Sequence, residues 1–441
     1  MSLMRIFRPA LAGLWLFFSP LLFALDIPTV RIEDDSALRR SLITTLFQEA
    51  PARVLAARPS LHTLPGGSRV EVRVEEGQGE FSVLLAREFN RSGDFPGWAQ
   101  GSFALTRRRS DGAYLRLRIF PRSDSNTYVQ IRPKGDGKSL LDVVAYDAYL
   151  VQSRPIPLEF ERILQVPVEE VYRAAGGAFP RRYFEPDFDR YRDLRALVQA
   201  VRARLPELRF RDDGAIDDAG RYVFIKDLSP QPGAGGLNCS GFAKWFVDGL
   251  LRPLTGELLP IEPLKAPPAE RGSGFTDAYE ELRDPFFGLD WTRNLALRAN
   301  STLRSPALGK VEEFEVRRAP FSSMIVRNSR GVRTGERSFP GFLLNAGFGV
   351  EGLEALLYSL SIDEPGQVYL ASINQEMDPA PRMRQHFHIA VLFPYFDEYG
   401  RFRVVVFESA EETSFARFKT RYAPGHCVNL VRIPVEAGFA P

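Results

Sequence analysis

The stretch Gly233–Leu251, GAGGLNCSGFAKWFVDGLL, constrains this chain more than any other. A glycine-rich turn runs into a pattern in which Phe242, Phe246 and Leu250 recur one helical turn apart, which predicts a helix with one apolar face. Pro253 is expected to stop that helix, because its ring removes a backbone donor and clashes with the preceding turn. Cys239 then stands at the helix N-terminus, where the positive end of the backbone dipole favours thiolate over thiol. The position suits a nucleophile. A packed thiol or half a disulfide is the competing reading of a cysteine beside glycines.

The chain has only one other cysteine, Cys427. Inside the apolar-alternating HCVNLVRIPV it reads as a buried strand residue, with a Cys239–Cys427 bridge as the alternative in an oxidising compartment. That compartment is the expected one. Residues 1–24 have the pattern of a secretory signal peptide: Arg5 and Arg8, the apolar run Ala10–Phe23, then Ala24 as the small residue at the cut. An uncleaved anchor is the alternative, though the run is short for a span. No later segment is apolar enough to cross a bilayer, so a periplasmic or secreted protein is expected, without a stable membrane span after signal removal.

At 441 residues there is material for two domains. The net charge of +2, with arginines scattered among equally numerous acids, gives no basic stripe, so no nucleic-acid partner is expected. Two cysteines and four dispersed histidines show no metal-ligand spacing, and no cofactor is implied. Oligomeric state is not legible.

Residues 27–165 read as a β-rich N-terminal module. Ser68–Glu75 alternates with period two, and Phe81–Ala86, Tyr114–Phe120, Thr127–Arg132 and Leu141–Leu150 are further strands between Gly, Asp and Pro turns. Short strands at this spacing predict a sandwich or barrel-like domain. His62 is isolated there and reads as a surface or turn residue. From residue 166 to 441 the pattern is α+β: helices over Pro167–Ala175 and Phe188–Leu205, a hairpin ending in Tyr222–Ile225, the cysteine helix, and a long insertion over about 254–360. The insertion ends in a short helix at Val350–Leu360 and is expected beside the site rather than in it.

The partners for a thiol come later. Pro365–Ile373 is a turn then a strand; His386–Tyr395 (HFHIAVLFPY) and Phe402–Ser409 (FRVVVFES) are strands joined by a polar turn containing Gly400. A hairpin centred near Glu398 puts His388 opposite Glu408 on one face, and a slip of one residue would separate them. A cysteine nucleophile needs an imidazole to hold the thiolate, and the imidazole needs an acceptor on its far nitrogen. Cys239, His388 and Glu408 have those types. His386, expected on the same face as His388, is the rival base. The backbone N–H groups of Cys239 and Ser240 are natural donors to an oxyanion.

Cys-Ser-Gly-Phe opening a helix, Pro-Gly-Gln before a strand, and His-Ile-Ala-Val resemble the NlpC/P60 cysteine peptidase family over about 220–252 and 361–412. Cys239 matches that family's nucleophile, His388 its base, and Glu408 falls where its orienting polar residue would be. Tyr222 is the nearest candidate for the tyrosine that supports the oxyanion site. Asn238 stands where the family has Asp, Gln367 where it has Asp, and the insertion is longer. The resemblance implies a papain-like α+β core, the cysteine helix packed on an antiparallel sheet. It also implies hydrolysis of amide bonds in cell-wall (peptidoglycan) peptides. The alternatives are an amidase or acyltransferase on another envelope substrate, or a catalytically inactive envelope-binding protein retaining the fold.

Overall fold

Two large antiparallel sheets and a helix packed on the second set the positions of the candidate residues. The computed structural model describes residues 32–179, 181–269, 284–328, 331–377, 384–423, 425–435 and 438–441. The expected signal peptide, residues 1–24, lies outside them. Among the described residues no helix is long and apolar enough to cross a membrane.

The first sheet grows from period-two alternation. Strands β1 (Ser60–Thr63), β2 (Arg69–Glu76), β3 (Glu80–Arg87), β4 (Phe103–Arg108), β5 (Tyr114–Ile119), β6 (Thr127–Gly135), β7 (Lys138–Ala145) and β8 (Ala148–Ile156) form an antiparallel meander. Among the described residues it belongs to one continuous hydrogen-bonded sheet of ten strands. Val70, Val72, Val83 and Leu85 line its core face, while Leu84, Tyr128 and Tyr149 form a smaller cluster on the other. His62 lies in β1, its Nε2 2.9 Å from Ser60 Oγ.

The expected single strand over 141–150 is a hairpin. Tyr146 and Asp147 turn it with φ of 48° and 66°, the paired positive angles that match strand twist in a two-residue loop. That geometry favours Asn-Gly or Asp-Gly, so a Tyr-Asp turn carries no sequence signal.

Two further strands of this sheet, β11 (Ser323–Arg327) and β12 (Arg333–Ser338), come from the expected insertion. Met324 pairs with Ala148 at the join. The small hairpin β9 (Gly214–Ile216) and β10 (Tyr222–Phe224) precedes the cysteine helix.

The second sheet has the order β13-β18-β14-β15-β16-β17. Its strands are β13 (Phe348–Gly349), β14 (Gln367–Glu376), β15 (Arg384–Phe396), β16 (Phe402–Glu408), β17 (Glu411–Ser414) and β18 (His426–Pro434). All neighbours are antiparallel. On one face, the Leu353–Asp363 helix and the Phe415–Tyr422 helix cover Ala371, Ala390, Leu392 and Val406. On the other, Ile389, Val391 and Phe393 of β15 pack toward the cysteine helix.

That helix spans Cys239–Thr255 and is buried on every side from Ser240 to Leu251, not on one apolar face alone. Helix Phe287–Leu303, also from the insertion, packs beside it. Its charge is paired internally: Lys244 Nζ lies 2.7 Å from Asp248 Oδ2, both side chains nearly inaccessible. Burial raises the Asp248 carboxyl despite that partner.

The expected stop at Pro253 does not occur there. The helix continues to Thr255 and ends at Gly256, whose φ of 74° is the left-handed cap that glycine adopts without strain. Proline leaves the carbonyl four residues back, that of Gly249, without its helical donor. Ala440 N–H supplies the bond at 2.9 Å. Phe439 lies directly over Gly249, where a Cβ would fall 2.4 Å from its ring, and it meets Trp245 and Phe246.

Candidate active site

Asn238 begins the site. It is the N-cap of the cysteine helix, extended at φ −88° and ψ −170°, and its Oδ1 accepts from Gly241 N–H at 2.8 Å. Asn caps a helix as well as Asp does, so the cap needs no acid. It also keeps a carboxylate away from the thiolate. The Asn238 carbonyl accepts from Phe242 N–H. The remaining first-turn donors, Cys239 N–H and Ser240 N–H, have no acceptor within the helix.

The turn is held from two sides. Asn238 N–H donates to Gly214 O at 3.0 Å, and Gly241 lies so close to that strand that a Cβ would fall 2.0 Å from Gly214 O. Only glycine fits. From the other side, Trp291 Nε1 donates to Ser240 O at 2.9 Å. The insertion therefore contributes to the site's frame, which local sequence patterns could not indicate.

Cys239 and Cys427 are both free thiols, Cys239 partly exposed and Cys427 buried in β18. Burial by itself would raise the Cys239 thiol. A hydrogen bond to His388 and that ring's charge, with Ile389 N–H and the Ser240 hydroxyl, outweigh it and hold the thiol below its ordinary 9.0. The Ser240 hydroxyl lies 4.0 Å from the sulfur. For Cys427, burial pushes the thiol up.

His388 Nε2 lies 2.8 Å from Glu408 Oε2, which leaves Nδ1 for the thiol. Burial would lower this imidazole, but hydrogen bonds to Cys239 and Glu408 and their charges raise it from 6.5 to about 9. Burial would likewise raise Glu408, yet His388, Thr413 and Arg421 hold it down at about 2. Its Oε1 accepts from Thr413 Oγ1 at 2.7 Å and from Arg421 Nη1 at 2.6 Å. Both directions favour a charged chain: thiolate, imidazolium, carboxylate, guanidinium.

The hairpin register differs from expectation in a way that spares this contact. Val391 pairs with Phe407 and Phe396 with Phe402, centring the turn on Tyr399 rather than Glu398. Moving the centre by one residue moves each partner by two, so every side chain keeps its face. Glu408 becomes a diagonal neighbour of His388 instead of a direct one, still within reach.

His386 is not on the face of His388. A β-bulge leaves Phe387 unpaired against β14, with Ile373 opposite His388 and Asn374 opposite His386. The extra residue shifts the alternation. His386 is buried with Nδ1 2.8 Å from Ser372 Oγ and Nε2 2.9 Å from Asn345 O. Burial takes it from 6.5 to about 3, so it stays neutral with both nitrogens engaged.

Tyr222 lies in β10 with its ring over Gly235, where a Cβ would fall 2.3 Å from Tyr222 Cγ. It thus shapes the glycine turn. A second aromatic ring, Tyr422, lies beside the site, 5.9 Å from the His388 ring. Thr413, Arg421 and Tyr422 were not legible in the sequence, since nothing near them marks which distant carboxylate they meet. Among the described residues, no three His, Cys, Asp or Glu side chains cluster in a way that could hold a metal ion.

Fold and site together define a mixed α/β protein with large antiparallel sheets and a Cys–His–Glu chain at the end of the second. A family described only as a domain of unknown function, DUF8515, matches residues 28–183. That region holds the β1–β8 meander and the short helices after it, and stops before Cys239. No curated protein and no solved structure matches the chain.

Proposed function

We propose that this protein is a cysteine hydrolase that cleaves amide bonds by a Cys239–His388–Glu408 mechanism. The observation that carries the reading is a helix-terminal thiol lowered by His388, whose Nε2 lies 2.8 Å from the buried carboxylate of Glu408. The Cys239 thiolate attacks the amide carbonyl carbon. The oxygen takes the negative charge between the free N–H groups of Cys239 and Ser240. His388 gives its proton to the leaving nitrogen as the carbon–nitrogen bond breaks, leaving a thioester and neutral imidazole. A water then attacks the thioester, His388 takes its proton, and the acid product leaves with the thiolate restored.

The substrate class rests on the motif resemblance and on the signal-like N-terminus: peptide stems of the cell wall, met in the periplasm or outside the cell. The papain-like description of the cysteine helix on its sheet belongs to the same proposal. Incubating purified sacculi with the wild-type protein and with Cys239→Ala, then identifying new amine termini, tests it. Cleavage by the wild type alone supports the hydrolase. Co-sedimentation without cleavage selects the envelope-binding reading, and neither result moves the substrate to another envelope amide.

A further inference from the structure

We propose that Arg421 is a positioning residue of this site, acting through Glu408 to keep His388 charged and aimed at Cys239. The inference rests on the triad reading above. Glu408 is buried, and a buried carboxylate must have its oxygens satisfied or lose its charge. Its two oxygens divide the work: Oε2 serves His388 at 2.8 Å, while Oε1 takes Thr413 at 2.7 Å and Arg421 at 2.6 Å. A carboxylate fixed at one oxygen cannot swing the other away from the imidazole.

The groups around Glu408 come from three elements: His388 from β15, Thr413 and the exposed ladder partner Glu411 from β17, and Arg421 with Tyr422 from the Phe415–Tyr422 helix. That helix starts at Ser414, whose hydroxyl accepts from Arg417 N–H. Its last turn delivers a guanidinium to the carboxylate and a ring to the imidazole. Arg421 Nη1 also donates to Tyr422 OH at 3.3 Å, tying the two together. Of these groups only Arg421 supplies a fixed positive charge on the side of Glu408 away from His388. Without it Oε1 is left to Thr413 alone, and the carboxylate is freer to turn from the imidazole that holds the thiolate.

The test is the alkylation rate of Cys239 by iodoacetamide from pH 4 to 9 in the full chain, for wild type, Arg421→Gln, Arg421→Lys, Glu408→Gln and the double variant Glu408→Gln/Arg421→Gln. We expect the acid limb of the Arg421→Gln rate profile to lie about one unit higher than in wild type, a roughly tenfold lower rate at any one pH on that limb. Arg421→Lys, which keeps the charge but not the fork, is expected to shift less in the same direction, and it carries the test should Arg421→Gln not fold. In the Glu408→Gln background, removing Arg421 should change nothing further. Profiles that superimpose on wild type, or the same loss with and without Glu408, overturn the assignment. A wild-type Cys239 that does not label at all overturns the triad instead.

Discussion

His388 and Glu408 meet at 2.8 Å without being ladder partners, because the turn between their strands is centred on Tyr399 and leaves them diagonal. The contact makes each group's charge depend on the other, and stability should show it. Glu408 is depressed from 4.5 to about 2, so its contribution is complete above pH 4.5 and lost as pH falls through about 2. His388 is raised from 6.5 to about 9, so its contribution is complete below pH 6.5 and lost as pH rises through about 9. The difference in Tm between wild type and Glu408→Gln should therefore peak between about pH 4.5 and 6.5 and shrink on both sides. A difference independent of pH would remove the ion pair from the account.

The thiol offers a second pH test. An ordinary cysteine loses about 100-fold in alkylation rate between pH 8 and pH 6, because its thiolate fraction falls with the proton concentration. Cys239 is held below its ordinary value and should lose much less. Cys427, which burial pushes up, should stay unlabelled until the chain unfolds. Peptide mapping after timed labelling distinguishes the two sites, and a 100-fold fall at Cys239 would contradict the thiolate.

Gly241→Ala should destabilise the protein by about 3 kcal/mol, since the added carbon would lie 2.0 Å from Gly214 O and 2.9 Å from Ala215 Cα. The displaced turn carries Cys239, so the alkylation rate should fall as well. Denaturant midpoints measure the first effect and labelling the second. Unchanged values for both would mean the β9–β10 hairpin does not brace the site.

Phe439→Ala should cost about 2 kcal/mol, the order expected for losing a half-buried aromatic ring. The ring covers Gly249 and packs on Trp245 and Phe246, roughly 15 Å along the helix from Cys239 at 1.5 Å per residue. Stability should drop while the Cys239 labelling rate in the folded protein holds. Loss of labelling without loss of stability would reverse that assignment.

The amino-acid order by itself determined the elements whose signals are local. Period-two alternation marked β2 and β18, strand-like runs between turn residues marked β3, β5, β6 and β14 to β16, and helical spacing marked the cysteine helix. Together with residue type they named Cys239, His388 and Glu408, of which His388 and Glu408 meet at 2.8 Å and Cys239 is lowered by His388. Only the tertiary structure decided what depends on partners far away in the chain. A bulge at Phe387 separated His386 from His388, and Ala440 supplied the hydrogen bond that Pro253 forfeits. The insertion gave strands to one sheet and Trp291 to the cysteine turn, while Thr413 and Arg421 closed around Glu408. Periodicity reports which face of an element is apolar. It carries no information about which distant donor meets which acceptor, and that pairing is what sets the charge on the thiol.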